Sequence, residues 1–198
     1  MPDIYKKPLL CSGFFVFSNL VFMRSEFSEQ QRFSQIWIWA IIVGSAVLPF
    51  VDVYKTGFQV DKAETYFMLL VPVLVIILFL VLRLETRVDG TGIYYKFFPF
   101  HLKTQHKTWD EIDRALIRKY KPISEYGGWG IRMGLGHGKA FNVSGNMGQQ
   151  LIFKNGKRTL IGTQKPEELD VLIEQLAASG IVQTSKEPYE IPRVKERF

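Results

Sequence analysis

LIFKNGKRTLIG, residues 151–162, carries the strongest short-range fold signal in this chain. Two runs of apolar and β-branched residues flank Asn155-Gly156, a dipeptide that accepts the positive φ angles of a type I′ hairpin turn. A similar pair of runs, LETRV and IYYKFF, flanks the turn at residues 89–92. Short strands separated by tight turns predict an antiparallel sheet in this part of the chain.

Farther along the chain, strand patterns give way to a helix pattern. The run TWDEIDRALIRKY, residues 108–120, alternates apolar and polar side chains and predicts one more strand. After Thr163, a proline and two acidic residues match a helix start, and apolar residues follow at helical spacing: Leu169, Leu172, Ile173 and Leu176. We expect residues 83–180 to form a small barrel or sandwich closed by this helix, and residues 181–198 to form a loose tail.

Two long uncharged runs precede the predicted sheet. Residues 33–51 would span about 28 Å as a helix and residues 65–82 about 27 Å, close to the roughly 30 Å hydrocarbon core of a bilayer. Aromatic residues lie near the ends of these runs, as in membrane helices: Trp37, Trp39, Tyr54 and Tyr66. A connector of only 13 residues, 52–64, predicts an antiparallel transmembrane hairpin over residues 33–82. Two buried helices of a soluble protein are the alternative.

The charge distribution predicts the orientation of this hairpin. The connector carries only Lys55 and Lys62. Basic residues are more frequent before the first run and after the second: Arg24, Arg32, Arg83, Arg87, Lys96, Lys103 and Lys107. Because basic residues favour the cytoplasmic side, both chain termini are expected there, in a multi-pass membrane protein. The net charge of +6 arises entirely from Arg83 onward, which favours contact of this domain with an anionic leaflet.

The first 32 residues form a separate N-terminal segment in this interpretation. Lys6 and Lys7 precede the uncharged run of residues 8–23, which resembles a signal peptide but lacks a small-residue cleavage site. An extra membrane-associated segment and an uncleaved signal are two interpretations. The short charged lead after Met23 favours a third, in which residues 1–22 are a start-site extension. Cys11 is the single cysteine, so no disulfide forms within the chain.

The order of these elements resembles a class of bacterial membrane proteins. A membrane hairpin is followed by VDGTGIYYKFFPF, a W-D-E-I turn, an Asn-Gly hairpin and a proline-started helix, while RKYKPISEYGGWGIR, AFNVSG and KRTLIGTQKPEEL are similar to an uncharacterised family of this kind. The resemblance covers about residues 28–178. It implies a pleckstrin-homology-like (PH-like) domain, with about seven bent antiparallel strands capped by one C-terminal helix, at the bacterial inner membrane.

That resemblance implies no activity. PH domains that bind phosphoinositides carry basic residues in the first hairpin loop. The loop at residues 89–92 is Asp-Gly-Thr-Gly, without lysine or arginine. Phosphoinositide recognition by this route is therefore not expected.

The stretch SEYGGWGIRMGLGHGKAFNVSGNMG, residues 124–148, holds eight of the sixteen glycines. The phosphate-binding pattern GxxxxGK[ST] fails because Ala140 follows Lys139 and Met133 stands at the first glycine position. The dinucleotide pattern GxGxxG fails by one extra residue and has no following helix. No nucleotide binding is predicted, and we expect these glycines at bends and at the tip of a hairpin whose return strand is KAFNVSG.

Catalytic and metal-binding patterns are weak. His101, His106 and His137 do not form a ligand set at metal-binding spacing, and no cofactor is predicted. The residues that could in principle supply a catalytic triad are Ser124, Ser144, His137, Asp110, Glu111 and Glu125. No motif places either serine as a nucleophile.

Basic and aromatic residues between positions 118 and 139 are the candidates for binding. They are Arg118, Lys119, Lys121, Tyr126, Trp129, Arg132, His137 and Lys139. The first three are interpreted as a solvated positive face or as a contact for anionic headgroups or an acidic partner. Nucleic acid is not expected, because Phe97, Phe98 and Phe100 are assigned to the core and the membrane anchor holds the domain against lipid.

Two functions from different classes remain. In the first, the protein is a membrane-anchored, non-catalytic adaptor whose cytoplasmic PH-like domain binds a protein partner or the anionic membrane surface; homo-oligomers fit this function. In the second, it is a membrane enzyme or enzyme subunit acting on lipid or envelope precursors. A concave site with His137 beside an acid or Ser144 would favour the enzyme, and an exposed surface around Trp129 would favour binding.

Overall fold

The computed structural model describes residues 26–57, 63–134 and 136–184 of the 198-residue chain. The predicted start-site extension with Cys11, and residues 185–198 of the predicted tail, lie outside the described residues. The strands are β1 Glu26–Arg32, β2 Arg83–Asp89, β3 Gly92–Phe98, β4 Gln105–Thr108, β5 Ile112–Lys119, β6 Gly130–Gly134, β7 Gly138–Asn142, β8 Met147–Phe153 and β9 Arg158–Gly162. The helices are α1 Ile36–Thr56, α2 Ala63–Val81, α3 Pro122–Tyr126 and α4 Pro166–Ala178.

The fold is α+β with two sheets. The first sheet has the order β1-β2-β3-β4 and is antiparallel throughout. The second has the order β5-β8-β9-β7-β6, in which only the β7–β9 pair is parallel. The described residues thus contain nine strands where about seven were predicted.

Both predicted hairpins are confirmed, but the turn at Asn155 differs from the prediction. Among the described residues, positive φ occurs only at glycine, so Asn155 does not take the left-handed conformation that a type I′ turn requires. The Phe153 N–H instead donates to the Lys157 carbonyl (2.9 Å), which leaves a three-residue loop with Gly156 at φ +78°. The Asn155 side chain accepts a hydrogen bond from the Lys157 N–H (3.0 Å), an alternative to left-handed backbone that stabilises the turn.

Strand β1 was not predicted from the sequence, which assigned its residues to an N-terminal segment outside the domain. It pairs antiparallel with β2 along its whole length, from Glu26 opposite Asp89 to Arg32 opposite Arg83. Alternate side chains of β1 point inward, and the first of them, Phe27, is fully buried in the main core. The two-sheet domain therefore begins before the apolar helices rather than after them.

The inward polar residues of β1 explain why its pattern is weak. Glu29 is buried and its two carboxylate oxygens accept hydrogen bonds from the Thr163 hydroxyl (2.7 Å) and the Gln164 N–H (2.8 Å). Gln31 is buried and donates to the Gly162 carbonyl (2.7 Å). Buried polar side chains are tolerated when they find such partners, and these partners lie more than 130 positions away.

Helices α1 and α2 are inserted between the paired strands β1 and β2. Three residues separate β1 from α1, and only Leu82 separates α2 from β2. Phe33 and Leu82, at these two connections, are buried in the main core, and the Phe33 ring meets the edge of Phe79 at 5.4 Å between centroids. The bases of both helices are therefore part of the domain core, while most of their remaining apolar side chains are exposed.

The two apolar helices differ in length. Within the part of the chain that the structure describes, Ile36–Lys55 is the one stretch long and apolar enough to cross a membrane, judged by length and composition. The apolar stretch of α2, Thr65–Val81, is shorter. The two helices pack against each other as an antiparallel pair.

The C-terminal helix α4 closes the domain as predicted. Leu169, Leu172, Ile173 and Leu176 are buried in the main core. Pro166 occupies the first turn together with the acidic residues Glu167 and Glu168, which favour the positive end of the helix dipole. This apolar stripe packs on β1 and β5 and so joins the two sheets.

The assignment of three phenylalanines to the core is right for only one of them. Phe97 is buried, but strand alternation places Phe98 on the opposite face, where the Arg83 guanidinium (5.1 Å) and the Lys96 ammonium (5.7 Å) lie over its ring. Phe100 follows the end of β3 and is 61% exposed. Its ring instead borders a groove beside the apolar helices.

We expect Phe27→Ala to lower the free energy of unfolding by about 3–5 kcal/mol, the usual range for removing a buried phenylalanine. Ser28→Ala, at the exposed neighbouring position of β1, should change it by no more than about 0.5 kcal/mol. Urea unfolding of the protein in mild detergent measures both values. Equal stabilities of the two variants would contradict the assignment of β1 to the core.

Candidate functional site

The predicted binding residues lie around α3 and the β6–β7 hairpin. The hairpin confirms the expected return strand, and Gly136, in its turn, has φ +75°. At Gly138 a Cβ atom would collide with the Arg158 carbonyl, because β7 runs close beside β9 in their parallel pair. At Gly134 it would collide with the Glu125 carbonyl. Glycine is therefore needed for close packing at both ends of the turn.

Arg118 is a structural residue rather than part of a solvated face. Its side chain is only 13% exposed and forms an ion pair with Glu125, with 2.8 Å between Nη2 and Oε2. The same guanidinium donates to Gln150 Oε1 (3.1 Å) and to the Tyr126 hydroxyl (3.3 Å). Arg118 thus connects β5, α3 and β8, and the predicted positive face retains only the exposed Lys119 and Lys121.

The environment of this cluster keeps Glu125 ionised and Tyr126 neutral. Burial alone would raise the pKa of Glu125, but hydrogen bonds from Arg118 and from the Lys121 N–H, together with the charge of Arg118, lower it below its ordinary value. Burial raises the pKa of Tyr126. Burial also raises the pKa of Tyr120 to about 12, although its hydroxyl accepts a hydrogen bond from Asn142 (3.0 Å). Glu125 is therefore a charged partner of Arg118, whereas Tyr120 and Tyr126 are neutral residues of the core.

His137 lies beside an acid, the arrangement expected of an enzyme, but that acid is already engaged. Its Nδ1 is 3.9 Å from Glu125 Oε2, and its ring meets the edge of Tyr126 at 5.9 Å. Arg118 and the Lys121 N–H already donate to the two oxygens of Glu125, at 2.8 and 2.7 Å. Ser144 accepts a hydrogen bond from Gln164, and no serine is hydrogen-bonded to a histidine among the described residues. The cluster therefore lacks the nucleophile and free base of a triad.

Metal-binding geometry is likewise not found in residues 26–57, 63–134 and 136–184. No three His, Cys, Asp or Glu side chains within these ranges come close enough together to hold a metal ion. His101 is separate from His137 and lies against Tyr95 and Phe141. Burial lowers the pKa of His101, and the charge of the exposed Lys139 lowers it further.

Trp129 joins the predicted binding stretch to the base of α1. Its indole N–H donates to the Gly145 carbonyl (3.0 Å), which holds the ring in place. The ring lies 5.9 Å from that of Trp37, the second residue of α1. The backbone carbonyl of Trp129 in turn accepts a hydrogen bond from Arg132 Nε (2.9 Å).

Exposed apolar and basic side chains lie beside Trp129 and along β6, the strand that follows it. Ile123 is 70% exposed in α3, and Met133 is 73% exposed in β6. Trp129 shares one cavity with Lys119, Lys121 and Ile123, and a second with Ile131 and Arg132. We name as the Trp129 surface the residues Lys119, Lys121, Ile123, Ile131, Arg132 and Met133. The sequence does not predict its apolar members, because local patterns reveal neither that β6 is the edge of its sheet nor that Ile123 of α3 is exposed.

The second of these cavities is an apolar groove of about 490 Å³ between the helix bases and the sheets. The residues that define this helix-base groove are Trp37, Ile41, Phe79, Phe97, Ile131 and Arg132. They come from α1, α2, β3 and β6. Tertiary packing alone brings these elements together, so the sequence did not predict the groove.

Comparison with known proteins adds no assignment. No protein-family model matches the chain, and no curated protein matches it in sequence. The class that the structure defines is an α+β protein of two sheets with a pair of apolar helices inserted between its first two strands.

We expect Arg118→Gln to lower the free energy of unfolding by about 1–3 kcal/mol, because Glu125 loses its charged hydrogen-bond donor in a largely enclosed position. Lys157→Gln removes the same charge from an exposed position in the β8–β9 loop and serves as the control. Urea unfolding followed by tryptophan fluorescence checks the difference. A loss no larger than that of the control would show that Arg118 is a surface charge.

Proposed function

We propose that the protein is a membrane-anchored, non-catalytic interaction module. Its two apolar helices form a transmembrane hairpin, and its two-sheet domain is a PH-like domain that lies against the anionic surface of the same membrane. The observation that carries this proposal is the position of Trp129. Its ring lies 5.9 Å from that of Trp37 at the base of α1, and it shares two cavities with exposed apolar and basic side chains.

The exposure of the two helices supports a bilayer environment. Large apolar side chains point outward along both helices, among them Leu48 and Phe67. In water this would leave an apolar surface far larger than monomeric soluble proteins tolerate, whereas in lipid it is the ordinary exterior of a helix pair. The short connections at Phe33 and Leu82 support a position of the domain directly at the bilayer surface.

The strand order supports the PH-like assignment. Four antiparallel strands, β1 to β4, form one sheet, and β5, β8 and β9 form an antiparallel meander in the other. These seven strands and α4 support a PH-like fold, to which the β6–β7 hairpin would be an addition. In this scheme α1 and α2 lie in the first connection, between β1 and β2. Residues 89–92 then form the second connection, between β2 and β3, rather than the first hairpin loop.

Charge supports contact between the Trp129 surface and an anionic leaflet. Lys119 and Lys121 are exposed at the end of β5, and Arg132 is exposed on β6. Each basic residue near such a leaflet contributes about 1 kcal/mol of attraction, and exposed apolar neighbours such as Ile123 and Met133 add contact with lipid. Tryptophan is also a residue that membrane interfaces favour.

The proposed location is the bacterial inner membrane, with both chain termini cytoplasmic. Basic residues flank the outer ends of the helix pair more densely than the connector between them. The Glu125 cluster gives no support to an enzyme, because its carboxylate is engaged by Arg118. A protein partner on the Trp129 surface is the other outcome that the following experiment distinguishes.

The test attaches an environment-sensitive fluorophore to single cysteines in a Cys11→Ser background. Ile123→Cys and Ile131→Cys, in vesicles containing phosphatidylglycerol, should give blue-shifted emission that lipid-borne nitroxides quench. Asn155→Cys is the control. Trp129 is hydrogen-bonded to Gly145 before the start of β8, and Asn155 follows the other end of that strand, so the two sites are more than about 20 Å apart. Replacing Lys119, Lys121 and Arg132 with glutamine should weaken quenching at the first two positions.

Quenching at positions 123 and 131 no greater than at 155 would contradict the proposed membrane contact. If these positions are instead shielded only when cytoplasmic extract is added, the surface binds a protein. Equal quenching in vesicles of phosphatidylcholine alone would show that basic charge does not contribute.

A further inference from the structure

We propose that the helix-base groove binds one acyl chain of an anionic phospholipid from the surrounding bilayer, with the lipid phosphate held by Arg132. This inference rests on the proposed function, since it requires the helices to lie in a membrane. It adds a specific lipid site to what would otherwise be general contact with the bilayer surface.

The lining of the groove is suited to a hydrocarbon chain. Side chains of Trp37 and Ile41 on α1, Phe79 on α2, and Phe97 and Ile131 on the sheets converge on it. Its volume of about 490 Å³ falls within the range of about 300–1,000 Å³ found for ligand sites. Along α1 it extends from Trp37 to Ile42, which corresponds to about 8 Å of helix.

Arg132 supplies the charge that the phosphate requires. Its Nε is held by the Trp129 carbonyl at 2.9 Å, which orients the guanidinium at the groove. Within the described ranges, its two terminal nitrogens have no hydrogen-bond or ion-pair partner, whereas Arg83, Arg87 and Arg118 all pair with carboxylates. An arginine with free terminal nitrogens can bind phosphate through two parallel hydrogen bonds.

The position of the groove is suited to a phospholipid of the adjacent leaflet. Trp37 lies in the first turn of α1, at the depth where tryptophan marks the interface between headgroups and acyl chains. A lipid with its phosphate at Arg132 would thus have its acyl chain beside the apolar part of α1. The groove combines an apolar lining with one cation, which matches an anionic amphiphile better than a zwitterionic one.

The experiment uses native mass spectrometry of the full chain, purified in mild detergent from nanodiscs. These contain equal amounts of phosphatidylglycerol and phosphatidylcholine with identical acyl chains. The wild-type protein should retain one phosphatidylglycerol per chain. Ile41→Trp, which fills the groove, should lose it, whereas Leu74→Trp, at an exposed position of α2 outside the groove, should keep it.

The headgroup contact is tested separately. Arg132→Gln should retain a lipid but lower the preference for phosphatidylglycerol over phosphatidylcholine about tenfold. Both lipids carry a phosphate, but choline already neutralises it in phosphatidylcholine, whereas the phosphate of phosphatidylglycerol depends on Arg132 for its counter-charge. Lys154→Gln removes the same charge from an exposed position in the β8–β9 loop and should leave the preference unchanged.

Three results would overturn the inference: retention of phosphatidylglycerol by Ile41→Trp at the wild-type level, its loss from Leu74→Trp as well, or equal lipid preferences of Arg132→Gln and Lys154→Gln. Carbonate extraction of membranes separates this failure from failure of the proposed function. Release of the wild-type protein by carbonate contradicts the membrane hairpin itself. A protein that resists carbonate but retains no phosphatidylglycerol contradicts the lipid site alone.

Discussion

The antiparallel pairing of β1 with β2 is the interaction on which the rest of the structure depends. It brings Arg32 opposite Arg83, so the chain leaves the sheet into α1 and returns from α2 at neighbouring points. The two helices must therefore begin and end side by side. Because Phe33 and Leu82 are buried at these connections, the helix bases share the core of the domain instead of being joined to it by a flexible linker.

A shared core has a direct consequence for function. With the helix pair in a membrane, a domain joined to it by three residues on one side and one on the other has little freedom to rotate away from the lipid surface. Trp129 adds a further contact between the domain and α1, because its ring packs near that of Trp37. Arg132 of β6 donates a hydrogen bond to the Trp129 carbonyl and so links this contact to the second sheet. The Trp129 surface and the helix-base groove are therefore held next to the helices by the fold itself.

Sequence reasoning succeeded where a signal was local. Asn155-Gly156 and its flanking runs predicted the β8–β9 hairpin, and the spacing of Leu169, Leu172, Ile173 and Leu176 predicted the buried face of α4. Even there the type of turn was wrong, since the Asn155 side chain stabilises a longer loop.

Nonlocal contacts account for the features that were missed. The inward positions of β1 include Glu29 and Gln31, which look like exposed residues until their partners near Gly162 and Thr163 are known. Arg118 looks like a free surface charge until α3 brings Glu125 against it. The groove needs four elements from separate parts of the chain. Some of the eight predicted binding residues, such as Arg118 and Tyr126, therefore have structural roles. Others, such as Lys119 and Arg132, are exposed and available for contact with a membrane or a partner.

Disulfide cross-linking across β1 and β2 tests the central claim most directly. Ser28→Cys with Arg87→Cys places two cysteines directly opposite each other on the paired strands. Glu26→Cys with Arg83→Cys is the control, because these positions are about 20 Å apart along the strands. Both pairs are made in a Cys11→Ser background with a protease site inserted at residues 58–62, and the membranes are oxidised before cleavage. The fragments are then separated on a denaturing gel, which removes non-covalent contacts. We expect the first pair to keep the two fragments together until a reductant is added, and the second pair to release them. Separation of the fragments for both pairs would contradict the insertion of the helices between paired strands.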